Sequence, residues 1–364
     1  MSRKWIVQTV FHTLGSRSRC SKPFRTHHGR SVTRPTYQHR STSSAEESTV
    51  KMRPEQEGAV HSYKQISLAA LAIGVTVLAT AVTGKERVLV YATFDVPGAI
   101  RTSPQGINSK GDIVGGFVDS AGQQHGFLLS DGVFTKIDYP GAEYTDARGL
   151  NSRGEIVGAY RMPGEPSPSL SRHGYLRTRH GEFLPADFPG HINTIPQRIT
   201  SRGLILGCRH DTDFMETMRG VTLNARDSSE FTEIDAFASM HNGATPDGSL
   251  IVGLYMEMDT GRRRGYLLYG DTFIPFDVPG STGTQAWDVN PRGAVVGDYQ
   301  DASRRDHGFL WDHLQFTSVD YPAATATRAR GINSHGDIVG YYADAAGRTH
   351  GFVANRMRDD GEDR

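Results

Sequence analysis

Short apolar runs of strand length recur along the chain from Val88 onward, and turns rich in Gly, Asn and Asp separate them. The stretch from Gly106 to Leu128 holds most of the recurring pieces: Gly-Ile-Asn, Asp-Ile-Val-Gly and His-Gly-Phe. Runs of this length between such turns predict β-strands, and glycine supplies the backbone angles that tight turns need. The pattern therefore predicts an all-β repeat domain.

An Asp that opens a turn marks the period of the repeat. Successive copies of this Asp are separated by 43, 49, 48, 42 and 43 residues. The six positions are Asp95, Asp138, Asp187, Asp235, Asp277 and Asp320. In the second repeat, four strand-like runs cover residues 147–151, 155–160, 173–176 and 182–184. Four short antiparallel strands in a unit of this size are typical of one β-propeller blade.

The last repeat lacks its fourth strand, and the chain supplies a candidate at its other end. The sixth copy stops at Gly351-Phe-Val353, whereas residues 88–94 precede the first Asp just as residues 134–137 precede the second. We predict a six-bladed β-propeller over about residues 88–356, whose last blade is closed by the N-terminal strand 88–94. An open β-solenoid is the rival, but it does not explain the extra strand. Residues 357–364 form a charged C-terminal tail.

The N-terminal part has a different composition. Residues 1–65 are rich in Ser, Thr, Arg and His, which predicts a disordered basic tail. Residues 66–83 follow Lys64 and contain no charge, so they form either a signal-peptide core or a signal-anchor helix. We favour translation from Met52 and cleavage near Ala81; alternatively, residues 1–51 are a cytoplasmic tail or a transit-like extension. Both membrane interpretations predict an exported domain, extracellular or in the cell envelope, with or without a membrane anchor.

Charge limits the partners of the repeat domain. The whole chain has 40 basic and 40 acidic residues, and the 12 basic and 4 acidic residues of 1–83 leave 28 against 36 for the rest. An acidic domain is a poor match for nucleic acid, because phosphate binding requires concentrated Lys and Arg. We expect a monomer that does not bind nucleic acid. Cys208, the lone cysteine of the repeats, follows an apolar run and is expected to be a packed thiol.

Several repeated pieces resemble the bacterial extracellular HAF-repeat family. The resemblance rests on four His-Gly-aromatic tripeptides together with Gly106-Ile-Asn108, Gly331-Ile-Asn333 and Asp138-Tyr-Pro-Gly-Ala142. The tripeptides begin at His125, His173, His307 and His350. The resemblance to this family covers roughly residues 90–355 and implies an exported propeller-type domain without a defined activity. The third and fourth copies depart from the family pattern, since Arg219 and Arg264 stand where His is expected.

The repeated His and Asp residues invite a metal interpretation, which we weighed against a structural one. Equivalent positions in a ring need not converge on one centre, whereas zinc requires its ligands at about 2.0–2.3 Å. We therefore expect the four His residues to bond within their own blades and the six Asp residues to cap turns. The Asp119–His125 loop could be a calcium loop, but it offers one carboxylate. No metal and no cofactor are expected.

A ligand site is expected where the repeat fails. The Asp-x-Pro-Gly loops share one face of the predicted propeller with the loops before His-Gly-Phe, and this face carries irregular insertions at residues 161–172, 209–218 and 255–264. Adaptable Met beside charged residues would suit an interaction surface, although plain loop divergence explains the same pattern. The candidate residues are Asp211, Asp213, Met215, Met218, Met256, Met258, Arg262 and Arg263.

Catalytic motifs are absent from the sequence: there is no Gly-x-Ser-x-Gly elbow, His-Glu-x-x-His or phosphate-binding Gly-Lys loop. The first hypothesis is an exported, non-enzymatic propeller that binds a protein, a glycan or a cell-surface component, and no catalytic residue is assigned. The alternative is a propeller hydrolase or lyase that acts on a saccharide or lactone at the channel mouth.

Overall fold

The computed structural model describes residues 89–165, 171–191, 193–211, 217–226, 231–233 and 238–356, which form 24 β-strands. The predicted N-terminal tail 1–65, the uncharged segment 66–83 and the C-terminal tail 357–364 lie outside the described residues. Within the described ranges, no helix has the length and apolarity to cross a membrane.

The strands form six separate four-stranded antiparallel sheets, one for each blade. Blade 1 contains β2 (Arg101–Ile107), β3 (Ile113–Val118), β4 (Gln124–Ser130) and β5 (Val133–Ile137). Blade 2 contains β6 (Tyr144–Leu150), β7 (Ile156–Arg161), β8 (His173–Arg177) and β9 (Phe183–Pro185). Blade 3 contains β10 (Asn193–Ile199), β11 (Leu204–His210), β12 (Arg219–Asn224) and β13 (Phe231–Glu233).

Blades 4 to 6 repeat the same order of strands. Blade 4 contains β14 (Ser239–Ala244), β15 (Leu250–Met256), β16 (Arg263–Tyr269) and β17 (Thr272–Phe276). Blade 5 contains β18 (Gly283–Val289), β19 (Val295–Gln300), β20 (Asp306–Asp312) and β21 (Gln315–Val319). Blade 6 contains β22 (Ala326–Ile332), β23 (Ile338–Ala343), β24 (Thr349–Arg356) and, as its outer strand, β1 (Leu89–Phe94).

The ring is closed by the first strand of the described chain. β1 pairs antiparallel with β24, from Leu89 opposite Arg356 to Phe94 opposite Gly351. The structure therefore confirms the six-bladed propeller and its closure by the N-terminal strand. β1 thus pairs with the edge of β24 that the truncated sixth repeat would leave open, from Gly351 to Arg356.

The first strand of each blade lies innermost, and these six strands contact one another around the axis. Each contains a bulge, and the extra residues are Gln105, Arg148, Gln197, Asn242, Trp287 and Arg330. The predicted inner strand of blade 2 began at residue 147, whereas β6 begins at Tyr144. Tyr144, Thr145 and Asp146 are polar, so this strand start lacks the apolar alternation that reveals a strand in sequence.

Apolar clusters between neighbouring blades form the core. The aromatic residue of each His-Gly-aromatic tripeptide is fully buried there, and Tyr266 plays the same part in blade 4. Phe127, for example, packs with Phe134 of the outer strand at a centroid distance of 5.7 Å and belongs to a cluster that includes Val339 of blade 6. The third residue of the tripeptide is thus a core residue, which fixes the spacing between blades.

Candidate functional site

Four blades carry glycine where the inner strands come closest to one another. These positions are Gly106, Gly149, Gly243 and Gly331. A β-carbon at Gly149 would lie 2.6 Å from the carbonyl oxygen of Gln197, and one at Gly243 would lie 2.6 Å from the Cα atom of Asp288. Any side chain would clash with backbone at these distances. The remaining space at the axis is left to the two blades that lack glycine at this position.

Arg198 of blade 3 and Asp288 of blade 5 occupy that space, and we call this pair the axial latch. Their Nη2 and Oδ2 atoms are 3.3 Å apart, and the two residues are only 9% and 6% exposed. Nη1 of Arg198 also donates to the carbonyl oxygen of Arg148 at 2.7 Å, and Nη2 donates to that of Arg330 at 2.5 Å. One side chain therefore links blades 2, 3, 5 and 6.

The carboxylate of the latch is held from several directions. Its Oδ2 accepts the backbone N–H of Ile332 in blade 6, and its Oδ1 accepts that of Val289. Burial raises the pKa of Asp288, while the charge of Arg198 and the hydrogen bond from Ile332 act in the opposite direction. Both oxygens of this carboxylate are engaged with the protein.

The latch is the floor of a depression on the face of the Asn-x-x-Gly turns, which we call the axial funnel. Its volume is about 130 Å³. Arg198 and Asp288 are the charged residues among those that line it, and the other lining residues are Gly, Asn, Ser, Thr, Pro, Ala and aliphatic. The aliphatic lining comes from the ends of inner strands at Ile107, Leu150, Ile199, Val289 and Ile332. The walls are therefore uncharged.

Amide side chains tie the funnel wall together. Nδ2 of Asn151 donates to Glu155 of its own turn at 2.6 Å and to the carbonyl oxygen of Thr200 in the next blade at 3.1 Å. In blade 5, Ala294 stands where the other asparagine turns carry a carboxylate. The buried Nδ2 of Asn290 has no hydrogen-bond partner among the described residues. The wall is thus asymmetric, with one unsatisfied donor at blade 5.

The part of the channel beyond the latch, away from the funnel, is filled by side chains. The guanidinium of Arg330 stacks over the ring of Trp287 at 3.3 Å, and its Nε donates to Oε1 of Gln105 at 2.9 Å. Nε1 of Trp287 in turn donates to the buried carboxylate of Asp298. Cation–π stacking and charge-assisted hydrogen bonds both favour this arrangement. These side chains reinforce the closure of the channel.

The repeated His residues each lie between two carboxylates, an arrangement that we call the blade clamp. In blade 6, Nδ1 of His350 is 2.7 Å from Asp95, and Nε2 is 3.3 Å from Asp344. The hydrogen bond with Asp95 is the largest influence on the pKa of His350, which is raised above its usual value. The corresponding trios are His125 with Asp138 and Asp119, His173 with Asp187 and Glu165, and His307 with Asp320 and Asp301.

Arginine makes the same contacts in blade 4. Arg264 donates to Asp277 and to Glu257, each at 2.9 Å. In blade 3 the position belongs to Arg219, whose counterpart Asp235 lies outside the described residues. No group of three or more His, Cys, Asp or Glu in the described ranges has a metal-binding arrangement. The clamp connects the third strand, the loop before it and the turn into the next blade.

The candidate residues from the insertions do not form one surface. Met218 is 2% exposed and packs in a core cluster with Cys208, Met240 and Trp287, so it is part of the interior. Met256 packs partly buried against the same cluster. The cause is that Met218 lies next to β12, where its side chain points between blades rather than into solvent.

The charged candidates differ in their surroundings. Asp211 is 3.0 Å from Nδ1 of His191, and Arg262 is 3.3 Å from Asp277 and donates to the carbonyl oxygen of Ser281. Met258 and Arg263 are exposed. Asp213 and Met215 lie outside the described residues.

The latch was not predicted from the sequence, although the sequence contains a signal for it. In each repeat an aliphatic residue or Ala precedes the Asn or Thr that opens the turn. The residue before this pair is glycine in four repeats, but it is Arg198 in blade 3 and Asp288 in blade 5. The two exceptions carry opposite charges. A second signal lies in the turns that follow, whose third residue is basic in five of six repeats.

The chain is similar to several solved β-propellers at low identity. They include the propeller domain of the trilobed protease from Pyrococcus furiosus, with 10% identity, a TM-score of 0.46 and coverage of 74% of this chain and 96% of that one. AofleA from Arthrobotrys oligospora has 11% identity and a TM-score of 0.47, and the match covers 74% of this chain and 87% of that one. An Aleuria aurantia lectin in complex with Fucα1-6GlcNAc has 10% identity and a TM-score of 0.44, with coverage of 69% of this chain and 91% of that one. No family model and no curated protein match the sequence. At these values the likenesses carry no argument about ligand or activity.

Proposed function

We propose that the protein is a non-catalytic β-propeller that binds its ligand in the axial funnel. The observation that carries this proposal is the latch: Arg198 and Asp288 close the channel and are engaged with each other and with the backbone. A closed channel with uncharged walls offers contacts to a ligand, but it leaves no unpaired acid or base among the residues that line the funnel. Ligand pockets of about 300–1,000 Å³ are usual for whole small molecules, so a funnel of about 130 Å³ suits one end of a larger ligand.

The competing hydrolase proposal rests on Asp288, because a carboxyl group with a raised pKa in a depression is a pattern of acid–base catalysis. Most glycoside hydrolases use two carboxyl groups about 5–10 Å apart. Asp288 is the single carboxylate that lines the funnel. Its ion pair with Arg198 also opposes the proton uptake that a general acid needs.

The proposed site lies on the opposite face from the insertions. Met218 is buried, and Asp211 and Arg262 are bonded within the protein. Of the candidate residues that the structure describes, Met258 and Arg263 remain as exposed contacts. The funnel, in contrast, is concave and draws on all six blades. Concave sites bury more of a ligand than flat loops do.

We also propose that the propeller is exported and related to the HAF-repeat proteins. The uncharged segment 66–83 and the recurring His-Gly-aromatic tripeptides support this. N-terminal sequencing of the protein recovered from the medium and from the cell envelope tests the first part. A mature N-terminus near residue 82 supports export with cleavage, whereas recovery of the protein from the cytoplasm alone contradicts it.

A single substitution at the rim tests the funnel. Ser152 is exposed and lines the funnel, so Ser152→Trp should fill it without disturbing the core. Arrays of saccharides, peptides and envelope components, probed with the purified full-length protein, should identify a ligand. The variant Ser152→Trp should bind this ligand at least tenfold more weakly. Ala345→Trp places the same bulk on an exposed loop of the other face and should leave binding unchanged.

Recovery of the bound ligand decides between binding and catalysis. Mass spectrometry after prolonged incubation should return the ligand chemically unchanged. Cleavage of the ligand that stops in Asp288→Asn would favour the hydrolase. Binding that survives Ser152→Trp but is lost in Met258→Glu would move the site to the insertions.

A further inference from the structure

The mouth of the axial funnel carries a ring of basic residues at one position of the repeat. The third residue of each Asn-x-x-Gly-type turn directly follows a residue that lines the funnel. This residue is Lys110, Arg153, Arg202, Arg292 or His335, and in blade 4 it is Asp247. All six are exposed. The remainder of the domain is acidic, so a basic ring here is not explained by overall composition.

Three of these cations have no ionic partner in the protein. Lys110, Arg202 and Arg292 form no ion pair within the described ranges, and they lie on alternate blades 1, 3 and 5. Arg153 differs, because it is 2.6 Å from Glu155 of its own turn. We call Lys110, Arg202 and Arg292 the basic triad.

The carboxylates of the same turns are held by their own turns. Asp112 accepts Nδ2 of Asn108 at 2.8 Å and the hydroxyl of Ser130 on the third strand at 2.6 Å. Asp247 accepts the hydroxyl of Thr245 at 2.6 Å, and this hydrogen bond is the main reason that its pKa is lowered to about 2. These two carboxylates stay ionised, but oxygens of each accept hydrogen bonds from their own blade, whereas the three cations of the basic triad are not paired with any carboxylate of the described residues.

The body of the funnel favours an uncharged, hydroxylated group. The latch charges on its floor are paired, and amides, hydroxyls and aliphatic groups line its walls. A single water needs roughly 10–15 Å³ by the same measure of volume, so about 130 Å³ can admit a group of the size of one sugar ring. A highly charged group would lose its hydration there without gaining a free counter-ion.

We propose that the axial funnel binds an acidic saccharide unit, with its ring in the funnel and its carboxylate or sulfate facing the basic triad. This inference rests on the proposed binding function and specifies its ligand. The uncharged walls suit the sugar ring, and the cations of the basic triad attract the acidic group. The acid attracts the triad over about a Debye length, roughly 10 Å at 0.1 M salt, so binding should weaken as salt rises.

Matched pairs of ligands test the charge. Calorimetric titrations of the full-length protein would use trigalacturonate against its methyl ester, and 3′-sialyllactose against lactose, in 50 and 200 mM NaCl. At least one acidic saccharide should bind at least tenfold more tightly than its neutral partner. Raising the salt concentration should weaken the binding of this acidic saccharide several-fold. An acidic peptide, oligo-glutamate, and vesicles of phosphatidylglycerol are tested in parallel.

Removal of the triad tests the site. The variant Lys110→Gln/Arg202→Gln/Arg292→Gln should weaken the acidic ligand about tenfold, since each exposed charge contact contributes about twofold to fivefold. It should leave the neutral partner unchanged. Arg263→Gln, an exposed cation on the opposite face, is the matched control and should have no effect. Unaltered melting temperatures would show that both variants are folded.

Each other outcome contradicts a defined part of the proposal. Equal binding of acidic and neutral saccharides, lost in Ser152→Trp, would overturn the acidic ligand and leave the funnel as the site. Binding of oligo-glutamate or of the vesicles that is tighter than binding of the acidic saccharides would overturn the assignment of a saccharide as the ligand. Binding that neither the triple variant nor Ser152→Trp weakens would overturn the funnel itself, and with it the proposed function.

Discussion

Arg198 donates hydrogen bonds to backbone carbonyl groups of two other blades. Its guanidinium donates to Arg148 and Arg330 and pairs with Asp288. The planar fork of arginine suits several acceptors at once, which the single ammonium of lysine cannot match. The glycines at the equivalent position of the other four blades make room for this side chain and for Asp288.

The latch predicts unequal costs for its two members. Arg198→Met leaves Asp288 charged and buried, so it should lower the free energy of unfolding by about 3–5 kcal/mol. Asp288→Asn keeps an acceptor for only one of the N–H groups of Ile332 and Val289, but Arg198 keeps its hydrogen bonds to the carbonyl oxygens of Arg148 and Arg330. This variant should lower the free energy of unfolding by about 1–3 kcal/mol. Urea unfolding measures both.

Arg263→Met serves as the control, because an exposed residue of this kind should change stability by less than about 0.5 kcal/mol. A loss below 1 kcal/mol for Arg198→Met would mean that the latch contributes little to stability.

The blade clamps act between elements, since each joins a third strand to the turn that leads into the next blade. In blade 6 the clamp contains His350, Asp95 and Asp344. An imidazolium donates from both ring nitrogens, whereas neutral imidazole donates from one. The clamp is therefore complete when His350 is protonated and both carboxylates are ionised.

Stability should depend on pH through this clamp. The pKa of His350 is raised above 6.5 in the folded protein, so its contribution is full below pH 6.5 and is lost as the pH rises through the folded pKa. The pKa of Asp344 is lowered from 3.8 to about 2, chiefly by the backbone hydrogen bond from Arg348, so its contribution is lost as the pH falls toward 2. We expect maximal stability between about pH 4 and 6.5.

The variant His350→Arg isolates the effect. It copies Arg264 of blade 4, which keeps its charge at every relevant pH, so melting temperatures should fall less above pH 6.5 than in the natural protein. His335→Arg, on an exposed turn, should show the same fall in melting temperature above pH 6.5 as the natural protein. An identical pH profile in His350→Arg would show that the clamp does not control it.

The elements were predictable from the sequence to different degrees. The Asp spacing and the His-Gly-aromatic tripeptides revealed six blades, because packing between blades demands the same residues in every copy. The start of β6 was not visible, since Tyr144, Thr145 and Asp146 are polar and show no apolar alternation. The funnel and latch were not predicted either, because Arg198 and Asp288 lie 90 residues apart and meet only when the ring closes.

At the scale of the whole molecule, β1 makes the ring a single closed unit. Its six residues pair with β24, and Tyr91 packs against Tyr321 and Phe352 at centroid distances of 5.7 and 5.9 Å. Burial contributes to the raised pKa of Tyr91, about 12, more than the charge of Asp320 does. The strand therefore supplies both the last ladder of hydrogen bonds and part of the core of blade 6.

Removal of β1 should destabilise the entire domain. A chain that begins at Val96 should melt about 10 °C or more below one that begins at Lys85. The shorter chain loses several kcal/mol of its free energy of unfolding, and each kcal/mol lowers the melting temperature of a domain of this size by about 2–4 °C. A synthetic peptide of residues 88–95 should restore part of the difference when added in excess. Equal melting temperatures for the two chains would contradict the role assigned to β1.

The latch also has a consequence for the evolution of the repeat number. Open repeat arrays gain and lose units readily, because each unit contacts only its neighbours. In this ring, Arg198 spans from blade 3 to blades 2, 5 and 6, and the inner strands of blades 1 and 2 are so close that a β-carbon at Gly106 would lie 3.5 Å from the Cα atom of Gly149. A duplicated unit would widen the axis beyond the reach of one guanidinium. Lineages that keep this Arg and Asp should therefore keep six repeats, and a change in repeat number should be accompanied by their loss.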